Sequence, residues 1–81
     1  MSPAISARLS AIFLQLFQVQ PAEFNEALRP GVVVKWDSLG HIQLIEALQK
    51  EFGIKLSITE IMDMDSVQNI VSILESHGID V

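Results

Sequence analysis

The sequence predicts an all-α fold: one small four-helix domain over residues 1–81, with a long loop between the first two helices and a short third helix. Three observations predict it. Apolar residues recur at helical spacing in several stretches. Serine, aspartate, proline and glycine stand where those stretches begin and end. With no cysteine there is no disulfide to hold a small chain together, so the 49% hydrophobic content must build the core. A helix bundle does this with mostly local contacts.

Ser2 and Pro3 open the first helix, serine as cap and proline at the first helical position. Ile5, Leu9, Ile12, Phe13, Leu16 and Phe17 then form one apolar stripe, predicting a helix over about 3–18 with Leu14 off the stripe and partly exposed. From Val19 to Trp36 the chain is punctuated by Pro21, Asn25, Pro30 and Gly31, which reads as a long connection. A helical turn near Pro21 would let Phe24 and Leu28 pack together. Val32-Val33-Val34 has strand propensity but no partner strand, so it is read as extended loop, anchored by its valines.

The second helix is predicted over about 38–52, with Leu39, Ile42, Ile45, Leu48 and Phe52 apolar at helical spacing and Gly53 at a left-handed end. Ser57-Ile58-Thr59-Glu60 matches a capping box and introduces a short third helix, about 58–63, with Ile58, Ile61 and Met62 available to face inward. Asp65 caps the last helix, about 66–76, which buries Val67, Ile70, Val71 and Leu74 and ends at His77 and Gly78.

Charge excludes some functions. The net charge is −5. Up to residue 55 the acids Glu23, Glu26, Asp37, Glu46 and Glu51 balance all the bases, Arg8, Arg29, Lys35, Lys50 and Lys55. Beyond that stand Glu60, Asp63, Asp65, Glu75 and Asp80 with no base. Such a chain repels nucleic acid and favours partners with a basic surface. The longest strongly apolar run, Ala11–Leu14, is far short of the roughly 20 residues of a membrane span. Nothing basic precedes Arg8 and no small-residue cleavage site follows, so a signal peptide is not expected. The expectation is a soluble cytoplasmic monomer.

The stretch Trp36-Asp37-Ser38-Leu39-Gly40-His41-Ile42-Gln43-Leu44-Ile45 carries the functional signal. Asp37 or Ser38 caps the second helix, because either side chain accepts a hydrogen bond from a free N–H of the first turn. Ser38 then stands exposed at a helix N-terminus, where partial positive charge and free N–H groups suit a phosphate. Asp37-Ser38-Leu39, the apolar helix after it, and Glu51-Phe52-Gly53-Ile54 together resemble an acyl carrier protein, over about Ile5 to His77.

That resemblance implies the carrier-protein topology of four helices. It implies a 4′-phosphopantetheine arm on Ser38, whose thiol carries an acyl group as a thioester, and a protein that is not itself an enzyme. The implied partners are a phosphopantetheinyl transferase and acyl-loading and acyl-processing enzymes, in fatty-acid-like, polyketide or another specialised biosynthesis. Asp37 would also help the transferase, which places a divalent metal near the serine; the carrier itself is assigned no metal site. Leu39, Ile42, Glu46, Met62 and Trp36 are the implied partner contacts. An aminoacyl or peptidyl carrier shares the serine motif, and an interaction module without the arm is the alternative of another class.

Each residue also has a plainer reading. Leu39 is a partner contact or a core residue; Trp36 anchors the loop or borders the arm. Met62 and Met64 either border a groove between the second and third helices or fill the core. His41 is a solvated surface residue or a contact for arm or partner. Asp37, Ser38 and His41 do not make a hydrolase, because neighbours on one exposed turn lack an orienting third group and an oxyanion hole. Asp63-Met64-Asp65 opens like a calcium loop, but Val67 and Gln68 stand where an oxygen ligand and glycine are needed. Gly40, Gln43, Gln49 and Lys50 occupy positions that are typically acidic in carriers of dissociated fatty-acid synthesis, leaving Glu46 and Glu51. This implies a specialised carrier with a less charge-driven interface.

Overall fold

The computed structural model describes residues 3–79. Four α-helices are found: α1 (Pro3–Phe17), α2 (Ser38–Phe52), α3 (Ile58–Asp63) and α4 (Val67–Ser76), with a single 3₁₀ turn, Pro21–Glu23, in the long connection. This is the predicted all-α architecture, and the described residues contain no strand. The predicted cap at Ser2 lies outside the described residues.

The α1 stripe forms one side of the core: Ile5, Leu9, Ile12, Phe13 and Phe17 are buried, Leu16 is half-buried and Leu14 is exposed. Phe13 is the hub. Its ring meets those of Phe17, Phe24 and Trp36 edge-on, each at 5.3 Å between centroids, a favourable aromatic geometry. From α2 come Leu44, Ile45, Leu48 and Phe52; from α4, Val67, Ile70, Val71 and Leu74. Met64, between α3 and α4, is fully buried.

Leu39 (65% exposed) and Ile42 (56%) belong to the apolar spacing of α2 but stand exposed, as a contact surface requires; Gly40 and Leu44 face the core instead. Other expectations need correction. Ile58 (78%) and Met62 (74%) of α3 face outward, leaving Ile61 half-buried and no residue of α3 fully buried. Ser66, not Asp65, caps α4, its hydroxyl accepting from Asn69 N–H at 3.1 Å. Asp65 instead accepts from the Asn69 side chain at 2.5 Å.

The connection is turned rather than extended. Val32 and Val33 N–H both donate to the Arg29 carbonyl, and Trp36 N–H donates to that of Val33. Val33 is buried, but Val32 and Val34 are exposed, so the valines do not anchor the loop together. Trp36, Leu28 and Val33 do, aided by α4: the N–H groups of Val67 and Gln68 donate to Leu28 and Glu26 carbonyls at 2.9 and 3.1 Å. Amides of a helix's first turn have no partner within the helix, and here the loop supplies one.

Candidate functional site

Position along the chain decides which way each residue near Ser38 points. Trp36 is 2% exposed, its indole driven into the core by its large apolar surface. The next three residues, Asp37, Ser38 and Leu39, emerge into solvent. Asp37 has extended backbone and caps α2: its Oδ1 accepts from Gly40 N–H at 2.8 Å and its carbonyl from His41 N–H at 2.8 Å. That resolves the choice of cap in favour of Asp37 and leaves the Ser38 side chain, first in the helix, without a capping role. The free amides of that turn give Ser38 a partially positive surrounding.

Gly40 is held where a β-carbon lacks room unless the loop shifts. A β-carbon there would collide with the backbone carbonyl of Lys35 and press on the Phe17 ring. The helix therefore starts in close contact with the loop that delivers it, fixing the direction in which Ser38 is presented.

His41 is not a solvated surface residue. It is half-buried and bridges two elements. The Trp36 indole Nε1–H donates to its Nδ1 at 2.9 Å, and its Nε2–H donates to the Ile61 carbonyl at 2.9 Å. Because an indole N–H only donates, Nδ1 must accept, so the ring is the neutral Nε2–H tautomer. The imidazole also lies nearly parallel to the indole, 15° apart with centroids 6.3 Å apart, edge to edge as an in-plane hydrogen bond requires. With both nitrogens engaged, His41 has no lone pair to take a proton from Ser38, which is the physical ground against a hydrolase.

Beside Ser38 lies an open depression of about 550 Å³, lined by Pro30, Trp36, Asp37, Ser38, His41, Ile61, Met62, Met64 and Asp65. Apart from the polar mouth at Asp37, Ser38 and Asp65, its walls are mostly apolar. Met62 stands on the rim and Met64 in the wall, so the two methionines divide the two roles predicted for both. Trp36 anchors the loop, one of its two readings, and lines the depression; at 2% exposure it is not a direct partner contact. Leu39 and Ile42 expose apolar surface on the first turns of α2, and Glu46 is exposed one turn beyond Ile42.

Two residues counted in the charge pattern have internal duties. Glu51 accepts from Arg8 Nε at 2.9 Å, and Arg8 also donates to the Glu51 carbonyl at 2.6 Å while lying 4.2 Å over the Phe52 ring. Gln49 Oε1 accepts from Leu56 N–H at 3.0 Å, holding the turn after α2. Among the described residues no group of three or more histidines and carboxylates is placed to hold a metal ion.

Sequence reasoning missed the bridging role of His41 and the close approach at Gly40. Trp36 and His41 lie five residues apart across a helix start, a spacing that signals nothing by itself, and Ile61 contributes only its backbone.

Comparison with known proteins covers the stretch that contains this depression. The family described as phosphopantetheine attachment site matches residues 7–74. Among curated proteins, the non-reducing polyketide synthase pkdA of Emericella nidulans is 34% identical over 70 residues, which cover 83% of this chain. Those residues span 3% of that relative's length.

Proposed function

Because the chain belongs to the phosphopantetheine-attachment family, whose members carry 4′-phosphopantetheine covalently and do no catalysis themselves, we propose that Ser38 is the attachment residue. The observation that carries this is its exposed hydroxyl on the first turn of α2, beside the open depression. The residues fit the group. The first-turn amides and the helix dipole favour a phosphate on Oγ. Asp37 is exposed beside it, where its outer oxygen is open to a transferase's divalent metal while Oδ1 keeps Gly40 N–H. When bound, the arm supplies a thiol that holds an acyl group as a thioester. The chain's own residues give that arm a rigid base: Trp36 buried behind it, Asp37 capping beneath it, and Gly40 closing the helix onto the loop.

The carried group is proposed to be a polyketide-type acyl chain, a reading supported by the resemblance to the fungal polyketide synthase. Leu39, Ile42 and Met62 form the apolar surface around Ser38 that loading and processing enzymes would meet, with Glu46 at its edge. Trp36 supports that surface from beneath. A cytoplasmic, monomeric carrier visited in turn by a phosphopantetheinyl transferase and by acyl-handling enzymes is the resulting picture.

Incubation with coenzyme A and a broad-specificity phosphopantetheinyl transferase, followed by intact mass, tests it. The expected result is a gain of one phosphopantetheine in the wild type and none in Ser38→Ala. No gain in the wild type overturns the carrier reading in favour of an interaction module. The apolar surface makes a second expectation: binding to a cognate enzyme falls only weakly with salt. Steep salt dependence, with loss of binding in Glu46→Gln, would refute the apolar interface.

A further inference from the structure

α3 is held in an unusual way. Its six residues bury no side chain fully, and Ile58 and Met62 point to solvent. Its tethers are largely polar and involve both histidines of the chain. At its start, Glu60 closes the capping box with Ser57 and pairs with His77, just beyond α4, at 2.7 Å. At its end, the Ile61 carbonyl accepts from His41 of α2 at 2.9 Å. Ile61 and His41 both line the depression beside Ser38.

We propose that His41 is a positioning residue: its neutral imidazole ties the first turn of α2 to the end of α3, and one proton breaks that tie. The chemistry is a matter of donors and acceptors. Neutral His41 accepts from the Trp36 indole with Nδ1 and donates to Ile61 with Nε2. A protonated ring carries N–H on both nitrogens. Two donors would then face each other across the 2.9 Å between Trp36 Nε1 and His41 Nδ1. Trp36 is fully buried and packed against Phe13 and Phe17, so it is the imidazole that must move. When it moves, Ile61 loses its donor and the α3 wall of the depression is released from α2. The tie of α3 to α4 responds in the opposite sense, because a protonated His77 pairs more strongly with Glu60. Acid therefore loosens α3 on the Ser38 side and keeps it on the α4 side.

Four ionisable groups on the elements around His41 have partners of their own. Asp37 accepts from Gly40 N–H, Lys35 donates to Gln18, Glu60 accepts from Ser57 and His77, and Asp65 accepts from Asn69. Asp37 and Asp65 share the depression with His41, while Asp63 lines a neighbouring hollow on the α4 side. The consequence for function rests on the reading of Ser38 as attachment point: the face met by the transferase and acyl-handling enzymes holds its shape only while His41 is neutral.

The test uses the full chain, with His77→Gln as background so that His41 is the remaining imidazole. Trp36 is the only tryptophan, so its indole Nε1–H resonance reports the bridge without ambiguity. The expected result is that this resonance moves together with the His41 ring nitrogens as pH falls. Protection of α3 amides should drop roughly five-fold, the worth of one neutral hydrogen bond. His41→Gln keeps an acceptor and a donor but gains no proton, so its indole resonance and α3 protection should stay flat. His41→Ala should show low α3 protection at every pH. Transfer of phosphopantetheine from coenzyme A, measured as the ratio of wild-type to Gln-variant rates, should fall across the same pH range. An indole resonance that ignores the ring titration, or an unchanged rate ratio, overturns the proposal. Absence of any mass gain at any pH overturns the Ser38 reading instead, and the resonances alone then decide the bridge.

Discussion

Gly40 illustrates how a single atom decides a position. In an open helix, alanine would be favoured over glycine by about 1 kcal/mol. Here the added methyl meets the Lys35 carbonyl, which belongs to the backbone and yields little. Gly40→Ala is therefore expected to destabilise by about 1–3 kcal/mol, the range for overpacking, despite its better helix propensity. Chemical denaturation of the two proteins checks this; an alanine variant as stable as the parent would mean the loop retreats freely. Asp37 makes a second prediction at this scale. Its cap is lost in Asp37→Ala at about 0.5–2 kcal/mol, whereas Asp37→Asn keeps an acceptor for Gly40 N–H and should recover most of that stability. Comparing the transferase rates of these two variants separates the cap from any service of the carboxylate to the transferase's metal. The asparagine protein should fold like the parent yet be modified more slowly.

Among the elements, α3 is the most lightly held, and its attachment depends on pH. The Glu60 carboxylate is held below its ordinary value of 4.5, first by the Ser57 backbone N–H, against desolvation as the next largest effect, and then by His77 and the Ser57 hydroxyl. A carboxylate with a lowered folded value contributes stability that is fully present above its unfolded value and lost as pH falls through the folded one. The carboxylate's own share in holding α3 should thus be fully present above the ordinary value of 4.5 and be lost as pH falls below it. Amide exchange of α3 read across that window should show the loss in the parent and a flat profile in Glu60→Gln. The existence of α3 was legible in Ser57-Ile58-Thr59-Glu60, because a capping box is a local device. Which of its residues face inward was not. Six residues make under two turns, and a partner helix rather than periodicity decides the orientation.

Across the whole molecule, a core of side chains from α1, α2, α4 and the loop is closed at one end by Arg8, which joins α1 to the end of α2. The radius of gyration is 11.3 Å, against about 12 Å expected for a compact chain of this length. Arg8 and Glu51 are both substantially exposed, so their ion pair contributes at the low end of about 0.2–1 kcal/mol, and stacking on Phe52 adds about 0.5–1 kcal/mol. Arg8→Ala should lower the denaturation midpoint modestly. Arg8→Lys should recover only part of the loss, since an ammonium cannot both stack and fork to two oxygens of Glu51. Equal midpoints for the lysine variant and the parent would show that charge alone matters there.

The sequence by itself determined the helices, their approximate ends, the core stripes of α1 and α4, and the exposed serine at the start of α2. These rest on local causes: periodicity of apolar residues, caps within three positions, and a left-handed glycine at Gly53. Only the tertiary structure decided the rest. It turned Ile58 and Met62 outward, docked the long loop onto the first amides of α4, engaged Glu51 with Arg8, and joined Trp36, His41 and Ile61 beside Ser38. Each of these depends on residues distant in sequence, or on a backbone carbonyl that carries no residue-specific signal, so nothing in the pattern of side chains announces it.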